Sequence, residues 1–225
     1  MHILRNSPFP SHIHNLIREM SRVGFFERSL LIGSWVMPIY QELYQAHYAL
    51  KTLDVDFAVH IAHLRRQMRA DLEKLITGLG FTDYIAAEGI QKFTAGGYEV
   101  EFIAQRPVAR DIGALQVKEW NVNVIPLPFI GLMIDFSETA ELDGFTIRFP
   151  IPEAYFLHKL IISQKRPKEP KRLKDLDQCA VLMEVLDDNR LKEVMGAHRF
   201  GKDTKRHIAA SCEIINFPLQ RLGLV

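Results

Sequence analysis

The chain has 225 residues, 48% hydrophobic, 10% aromatic and 24% charged, with a formal net charge of +1. This is enough apolar material for one sizeable domain or two smaller ones sharing a core, and it is not the composition of a disordered or fibrous chain. The near-neutral balance gives no global nucleic-acid footprint, and no apolar run reaches the ~18 residues of a membrane span, so no membrane partner is expected.

Met1–Pro8 lacks the apolar stretch and small-residue cleavage site of a signal peptide, which leaves the cytoplasm as the expected location. A helix is predicted over residues 11–28, with Ser11 as its N-cap and Ile13, Ile17, Met20 and Val23 at helical spacing. Ser29–Ile32 is a short apolar run ending in Gly33-Ser34. A second helix is predicted from Trp35 or Pro38 to about Leu50, with Pro38 in its first turn, where a missing amide hydrogen does no harm.

Residues 51–59 (Lys-Thr-Leu-Asp-Val-Asp-Phe-Ala-Val) read as a buried strand. Successive side chains on a strand point to opposite faces, so Asp54 and Asp56 share one face and Val55 and Phe57 the other. Residues 61–78 carry the next helical pattern, closed by Gly78 and Gly80. Phe81–Ile85 reads as a strand, and Gln91–Thr94 with Tyr98–Ala104 as a hairpin turning at Gly96-Gly97. On its second strand Glu99, Glu101 and Ile103 share a face. Residues 119–149 are rich in β-branched and aromatic groups, with Asp143-Gly144 as a hairpin turn.

From Pro152 onward the pattern is helical, with a lysine- and proline-rich link over Lys165–Lys171 and helices expected over 172–186, 189–195 and 203–215. The fold class is therefore α/β (α+β). A mixed sheet flanked by helices over 1–150 is followed by a helical region over 151–225 packed on it. Cys179 and Cys212 lie in apolar helical surroundings and are read as reduced core thiols.

Two aspartates two residues apart on one strand face repel, and burying one without a partner costs roughly several kcal/mol or forces protonation. A hard divalent cation, Mg²⁺ or Mn²⁺, removes both problems; it is commonly held by one or two carboxylates plus substrate phosphates. Gly33-Ser34 at a strand-to-helix bend would offer backbone amides and a hydroxyl to an anion. Glu101 on a neighbouring strand supplies a third carboxylate. Three such groups can hold two ions about 4 Å apart around a triphosphate and favour in-line transfer to a hydroxyl.

Gly33-Ser34, the Thr52-x-Asp54-Val55-Asp56-Phe57 run and Val100-Glu101-Phe102 resemble the signature of the polymerase-β-like nucleotidyltransferase superfamily. Ile32-Gly33-Ser34-Trp35 together with the aspartate run is similar to bacterial stand-alone nucleotidyltransferase-like proteins, whose relatives include AbiEii-type toxins. Pro152–Leu160 followed by Arg172-Leu173-Lys174-Asp175-Leu176-x-Gln178 is similar to their helical motif. The resemblance implies that Asp54, Asp56 and Glu101 are catalytic metal ligands and that Gly33, Ser34, Lys159, Lys174 and Asp175 form the nucleotide pocket. It implies Mg²⁺ (or Mn²⁺), an NTP, an acceptor such as an RNA or tRNA end, a protein or a small molecule, and an antitoxin-like partner. Two features depart from the pattern: the gap between Ser34 and Asp54 is long, and the third carboxylate is Glu where Asp is commoner.

Blander readings stand beside these. Glu99 shares the face of Glu101 and competes with it. His60 and His63 form a His-x-x-His pair with no further zinc ligands nearby, and read as solvent-facing. Lys159 could be an exposed lysine covering apolar surface. The basic run over 165–174 could be a solvated linker face or a nucleic-acid contact. Trp35 and Trp120 read as packing residues. The fold could also serve a non-catalytic nucleotide- or partner-binding module, or a metal-dependent phosphohydrolase.

Overall fold

The computed structural model describes residues 1–50, 52–61, 70–107 and 113–224; His63 and the first part of the 61–78 pattern lie outside them. Helix α1 (Ser11–Arg22) buries Ile13, Leu16, Ile17 and Met20 on one face. Pro10, not Ser11, holds the cap position, and no side chain caps the helix. The proline ring fixes φ in a region compatible with an extended lead-in, so Ser11 becomes the first helical residue. The helix stops at Arg22 rather than residue 28 because Gly24 turns left-handed (φ 79°), and a short 3₁₀ turn, Phe25–Glu27, follows.

After a two-residue strand β1 (His2–Ile3), which pairs far along the chain, the main sheet begins with β2 (Leu30–Ile32). A 3₁₀ turn over Gly33–Val36 leads into α2 (Met37–Tyr44). This helix ends six residues before the expected Leu50, because Gln45 adopts φ 61°. A non-glycine residue in that conformation leaves no mark in the sequence pattern.

Strand β3 (Asp54–Val59) runs antiparallel to β2 and parallel to the long β6 (Tyr98–Gln105). Helix α3 (Leu72–Gly78) is capped by the Asp71 side chain, which accepts from the Lys74 amide. Strands β4 (Thr82–Ile85) and β5 (Gln91–Ala95) follow, and β5 turns into β6 through Gly96 and Gly97, both with positive φ. Across β6, β5 pairs with its first half and β8 (Val122–Leu127) with its second. Strand β7 (Leu115–Val117) pairs outside β8. The described strands of this sheet therefore run β2-β3-β6-β5-β4, with β8 and β7 beside the far half of β6.

Helix α4 (Ile130–Asp135) interrupts the region read as strands, entered through Phe129 at φ 66°. A second sheet stacks β1, β9 (Ser137–Leu142) and β10 (Phe145–Pro150), the last two joined at Asp143-Gly144. The final third is helical. Helix α5 (Pro152–Ser163) is buried almost all round, as expected of a helix packed among others rather than on a surface. Helix α6 (Glu169–Leu182) begins three residues earlier than the sequence suggested, with Pro170 in its first turn, so the linker shrinks to the residues between Ser163 and Glu169. Helices α7 (Asp188–Ala197) and α8 (Lys202–Ile214) pack on α5. One apolar cluster runs through both the sheet and the helices, from Leu4 to Leu222. Cys179 and Cys212 are free thiols inside it.

Candidate functional site

The site grows from the parallel pairing of β3 and β6. Register places Asp54 opposite Glu99 and Asp56 opposite Glu101. Val55, Phe57, Val100 and Phe102 face the core and are fully buried, which forces all four carboxylates onto the opposite face. On the other flank of β3, Asp56 is opposite Ile32, the residue before Gly33.

The glycine at 33 has a local reason. Its φ is 69°, and a Cβ there would overlap a carboxylate oxygen of Asp56 and lie 3.0 Å from its Cγ. The bend and the aspartate are thus in van der Waals contact, and only glycine permits both the backbone angle and the approach. Asp56 is half-buried, and its carboxyl is pushed up to about 6. Burial is the main cause, followed by the charge of Glu101; Asp54 adds to it, while Lys159 and Lys174 pull it back. Like charges crowd one point, and two lysines reach it from the helical side.

Those lysines belong to α5 and α6. Lys159 is 5% exposed, so it is not the exposed lysine of the blander reading. Its Nζ lies 2.5 Å from Asp175 Oδ1 and 5.2 Å from the centre of the Tyr155 ring. Arg166 Nε donates to the other Asp175 oxygen at 2.7 Å. Burial works to raise the Asp175 pKa, but Lys159 and Arg166 outweigh it and the carboxyl stays below its ordinary range. Lys174 is half-buried; burial, then the Lys159 charge, lowers its pKa.

Ser34 is buried, and its hydroxyl accepts a 2.8 Å hydrogen bond from Gln178 Nε2. Gln178 Oε1 in turn accepts from the Tyr155 hydroxyl, also at 2.8 Å. The hydroxyl expected to meet a phosphate thus anchors the bend to α5 and α6 as an acceptor, which leaves its O–H proton and the turn's backbone as donors to an anion.

The third carboxylate has an unexpected partner. Lys92 on β5 is register-paired with Glu101, and its Nζ lies 2.5 Å from oxygens of both Glu101 and Glu99. Burial opposes its charge, but hydrogen bonds to Glu101 and Glu99 prevail and its pKa is raised. Glu99 also accepts from the Tyr84 hydroxyl at 2.5 Å and is held below its usual range, first by Lys92 and then by Tyr84. Neither Lys92 nor Gln178 was assigned a role from the sequence. Lys92 could have been: with Gly96-Gly97 as a two-residue turn, counting back from Ala95 opposite Tyr98 puts Lys92 opposite Glu101. Gln178 had no such signal, since its contact with Ser34 depends on how α6 docks.

Among the described residues, no three His, Cys, Asp or Glu side chains already converge on a point that would hold a metal ion. The donor chemistry nevertheless suits a hard cation. Asp54 and Asp56 offer oxygen ligands on one face, and the pKa of Asp56 is raised first by burial and then by the neighbouring Glu101 charge, both of which a bound cation would offset. Glu101 adjoins Asp56 but shares its charge with Lys92.

Above this strand end opens a cleft of about 650 Å³, lined by Trp35, Leu50, Thr52, Leu53, Asp54, Tyr98 and Lys174. It has the size of an ordinary small-molecule site. The Trp35 and Tyr98 rings meet edge to face at 6.0 Å, and the buried Trp35 Nε1 has no hydrogen-bond partner among the described residues. Trp35 and Trp120 are both core residues, as read from the sequence, Trp120 packing on Phe25. His60 lies past the other end of β3, and His63 lies outside the described residues.

No curated protein matches the chain. Among solved structures, an antigenic nucleotidyltransferase-like protein from Paracoccidioides brasiliensis shares the fold, with a TM-score of 0.51 and 12% identity over 94% of this chain and 92% of that one. The solution structure of the antibiotic-resistance factor ANT(2'')-Ia gives a TM-score of 0.48 and 14% identity, over 92% of this chain and 96% of that one. A family model described as nucleotidyltransferase matches residues 11–199. That span takes in the Gly33 bend, the aspartate strand, Glu101 and helices α5 and α6, and the chain belongs to the nucleotidyltransferase family of enzymes.

Proposed function

We propose that the chain transfers a nucleoside monophosphate from an NTP to an acceptor hydroxyl, with a divalent cation held by Asp54 and Asp56 and with Glu101 completing the set once it gives up Lys92. The observation that carries this reading is the convergence of Gly33, Asp56 and Glu101 on neighbouring strands beside a cleft walled by Asp54 and Lys174. When bound, Mg²⁺ or Mn²⁺ would neutralise the phosphate oxygens and the charge that builds on the leaving group.

The chain's own groups account for the rest. Tyr98, backed by the buried Trp35, offers ring surface to a base at one side of the cleft. The Gly33 turn presents backbone to a phosphate, Lys174 faces the triphosphate from the cleft wall, and Lys159, braced by Asp175, adds positive field from beneath. The acceptor oxygen bonds to the α-phosphorus as the bond to the bridging oxygen breaks. Pyrophosphate leaves, and the acceptor proton passes to a carboxylate of the acidic face. Positioning and charge neutralisation supply most of the rate.

RNA or tRNA ends, a protein side chain and a small-molecule hydroxyl are the acceptor classes to test. The sequence resemblance to AbiEii-type relatives adds a toxin role and a neutralising partner protein to that programme. One observation favours a binding-only module: Lys92 already neutralises Glu101 and Glu99.

A single experiment separates the readings. The purified chain is incubated with each labelled NTP and Mg²⁺, with total RNA, with itself or with a panel of small alcohols, and pyrophosphate is measured. Transfer predicts acceptor-dependent pyrophosphate release that falls by about a hundredfold or more in Asp56→Asn. Saturable NTP binding without pyrophosphate would support the module instead, and orthophosphate release without an acceptor would make it a phosphohydrolase.

A further inference from the structure

The end of β3 opposite the aspartates has its own cleft, about 540 Å³, lined by Glu27, Arg28, His60, Ile134, Asp135 and Arg148. Strands advance about 3.3 Å per residue, so Asp54 and His60 are separated by up to roughly 20 Å, and one triphosphate cannot occupy both ends.

The distinctive feature of this cleft is a pair of arginines. Arg148, on β10, is half-buried and fixed in place: its Nε donates to the Phe26 carbonyl at 3.1 Å and its Nη1 to Ser137 Oγ at 3.2 Å. Arg28, in the turn before β2, is exposed at the cleft rim. Among the described residues neither arginine forms an ion pair, although two carboxylates line the same space. The Asp135 carboxylate lies 3.4 Å from His198 Nε2. The Glu27 carboxylate folds back toward Gly24, where a Cβ would sit 3.1 Å from its Oε1. Burial and the Arg28 charge both disfavour the cationic form of Arg148. Two guanidinium groups thus face a walled space, and among the described residues neither is paired with the two acids that share it.

We propose that this cleft is a second anion site, binding the phosphate group of a small phosphorylated molecule between Arg28 and Arg148, independently of the nucleotide cleft. Guanidinium groups present planar, forked donors that match phosphate oxygens, and a dianion would neutralise both at once. Arg148 is pre-positioned by its two bonds to the chain; Arg28 supplies the closing contact. The site does not rest on the transfer reaction proposed above, since no residue is shared between the two clefts.

The test uses the full chain, metal-free in EDTA at low ionic strength, titrated calorimetrically with inorganic phosphate and, in parallel, with glycerol 3-phosphate. Saturable binding is expected for at least one of the two, and the tighter one identifies whether free phosphate or a phosphomonoester is preferred. Arg28→Gln should weaken binding by about tenfold or more, as loss of a charge-assisted contact does. Asp56→Asn should leave it unchanged within about twofold, because the two ends are far apart. Among the described residues the Arg28 side chain makes no hydrogen bond that its replacement would break, and circular dichroism verifies the fold. Absence of saturable binding, or binding that survives Arg28→Gln, overturns the site. So does binding that changes with Asp56→Asn, which would place the phosphate in the nucleotide cleft.

Discussion

The hairpin β5–β6 and the helix pair α5–α6 flank Asp56 from opposite sides, and each sets a lysine against a carboxylate at 2.5 Å. The two pairs differ in surroundings. Lys92, Glu99 and Glu101 keep 21%, 28% and 18% of their side chains in water, whereas Lys159 and Asp175 keep 7% and 3%. The difference separates what each pair can do. A pair that still sees solvent can exchange partners at little cost, as the proposed cation-binding role of Glu101 would require. A buried pair cannot, and suits a fixed positive field beneath the site.

The largest effect should come from breaking the buried pair. Asp175→Asn leaves Lys159 and Arg166 without their counter-charge inside the protein and should cost about 3–5 kcal/mol in urea unfolding. A loss below about 1 kcal/mol would mean that the pair is effectively solvated and that the contrast is empty. Next comes the group between the two regions. The folded-state pKa of Asp56, about 6, lies above its ordinary 3.8, so the metal-free protein loses stability as pH rises from about 4 to about 6 and does not recover it above that range. Asp56→Asn should therefore stabilise the apo chain by about 1–3 kcal/mol at pH 8 and by almost nothing at pH 4. An equal gain at both pH values would assign the effect to packing instead. The smallest change belongs to the hairpin: Lys92→Met should alter stability by no more than about 1 kcal/mol, because water screens the two glutamates it leaves behind. A loss as large as that of Asp175→Asn would erase the distinction.

Much of this was legible in the sequence. Period-two alternation placed Asp54 and Asp56 on one face, and glycine-containing turns at 96–97 and 143–144 fixed both hairpins. The site's acidic face follows from these alone. What was not legible depends on long-range docking or on unusual backbone angles. The end of α2 at Gln45 and the entry to α4 at Phe129 use left-handed non-glycine residues. The burial of Lys159 required knowing that α5 is surrounded, since its sequence alone allows an exposed face for that lysine. The sequence around Ser34 also gave no sign that its hydroxyl would accept a bond from a glutamine 144 positions later.

That last bond bears on how the chain could be divided. The bend at Gly33-Ser34 is tied to Gln178, and the acidic strand feels the charges of Lys159 and Lys174. The helical third is therefore not a detachable cap. Exchanging it for an unrelated bundle, however well that bundle covered the apolar surface, would untie the serine and strip the aspartates of two counter-charges. In this scaffold catalytic competence and the integrity of the rear helices would be lost or inherited together.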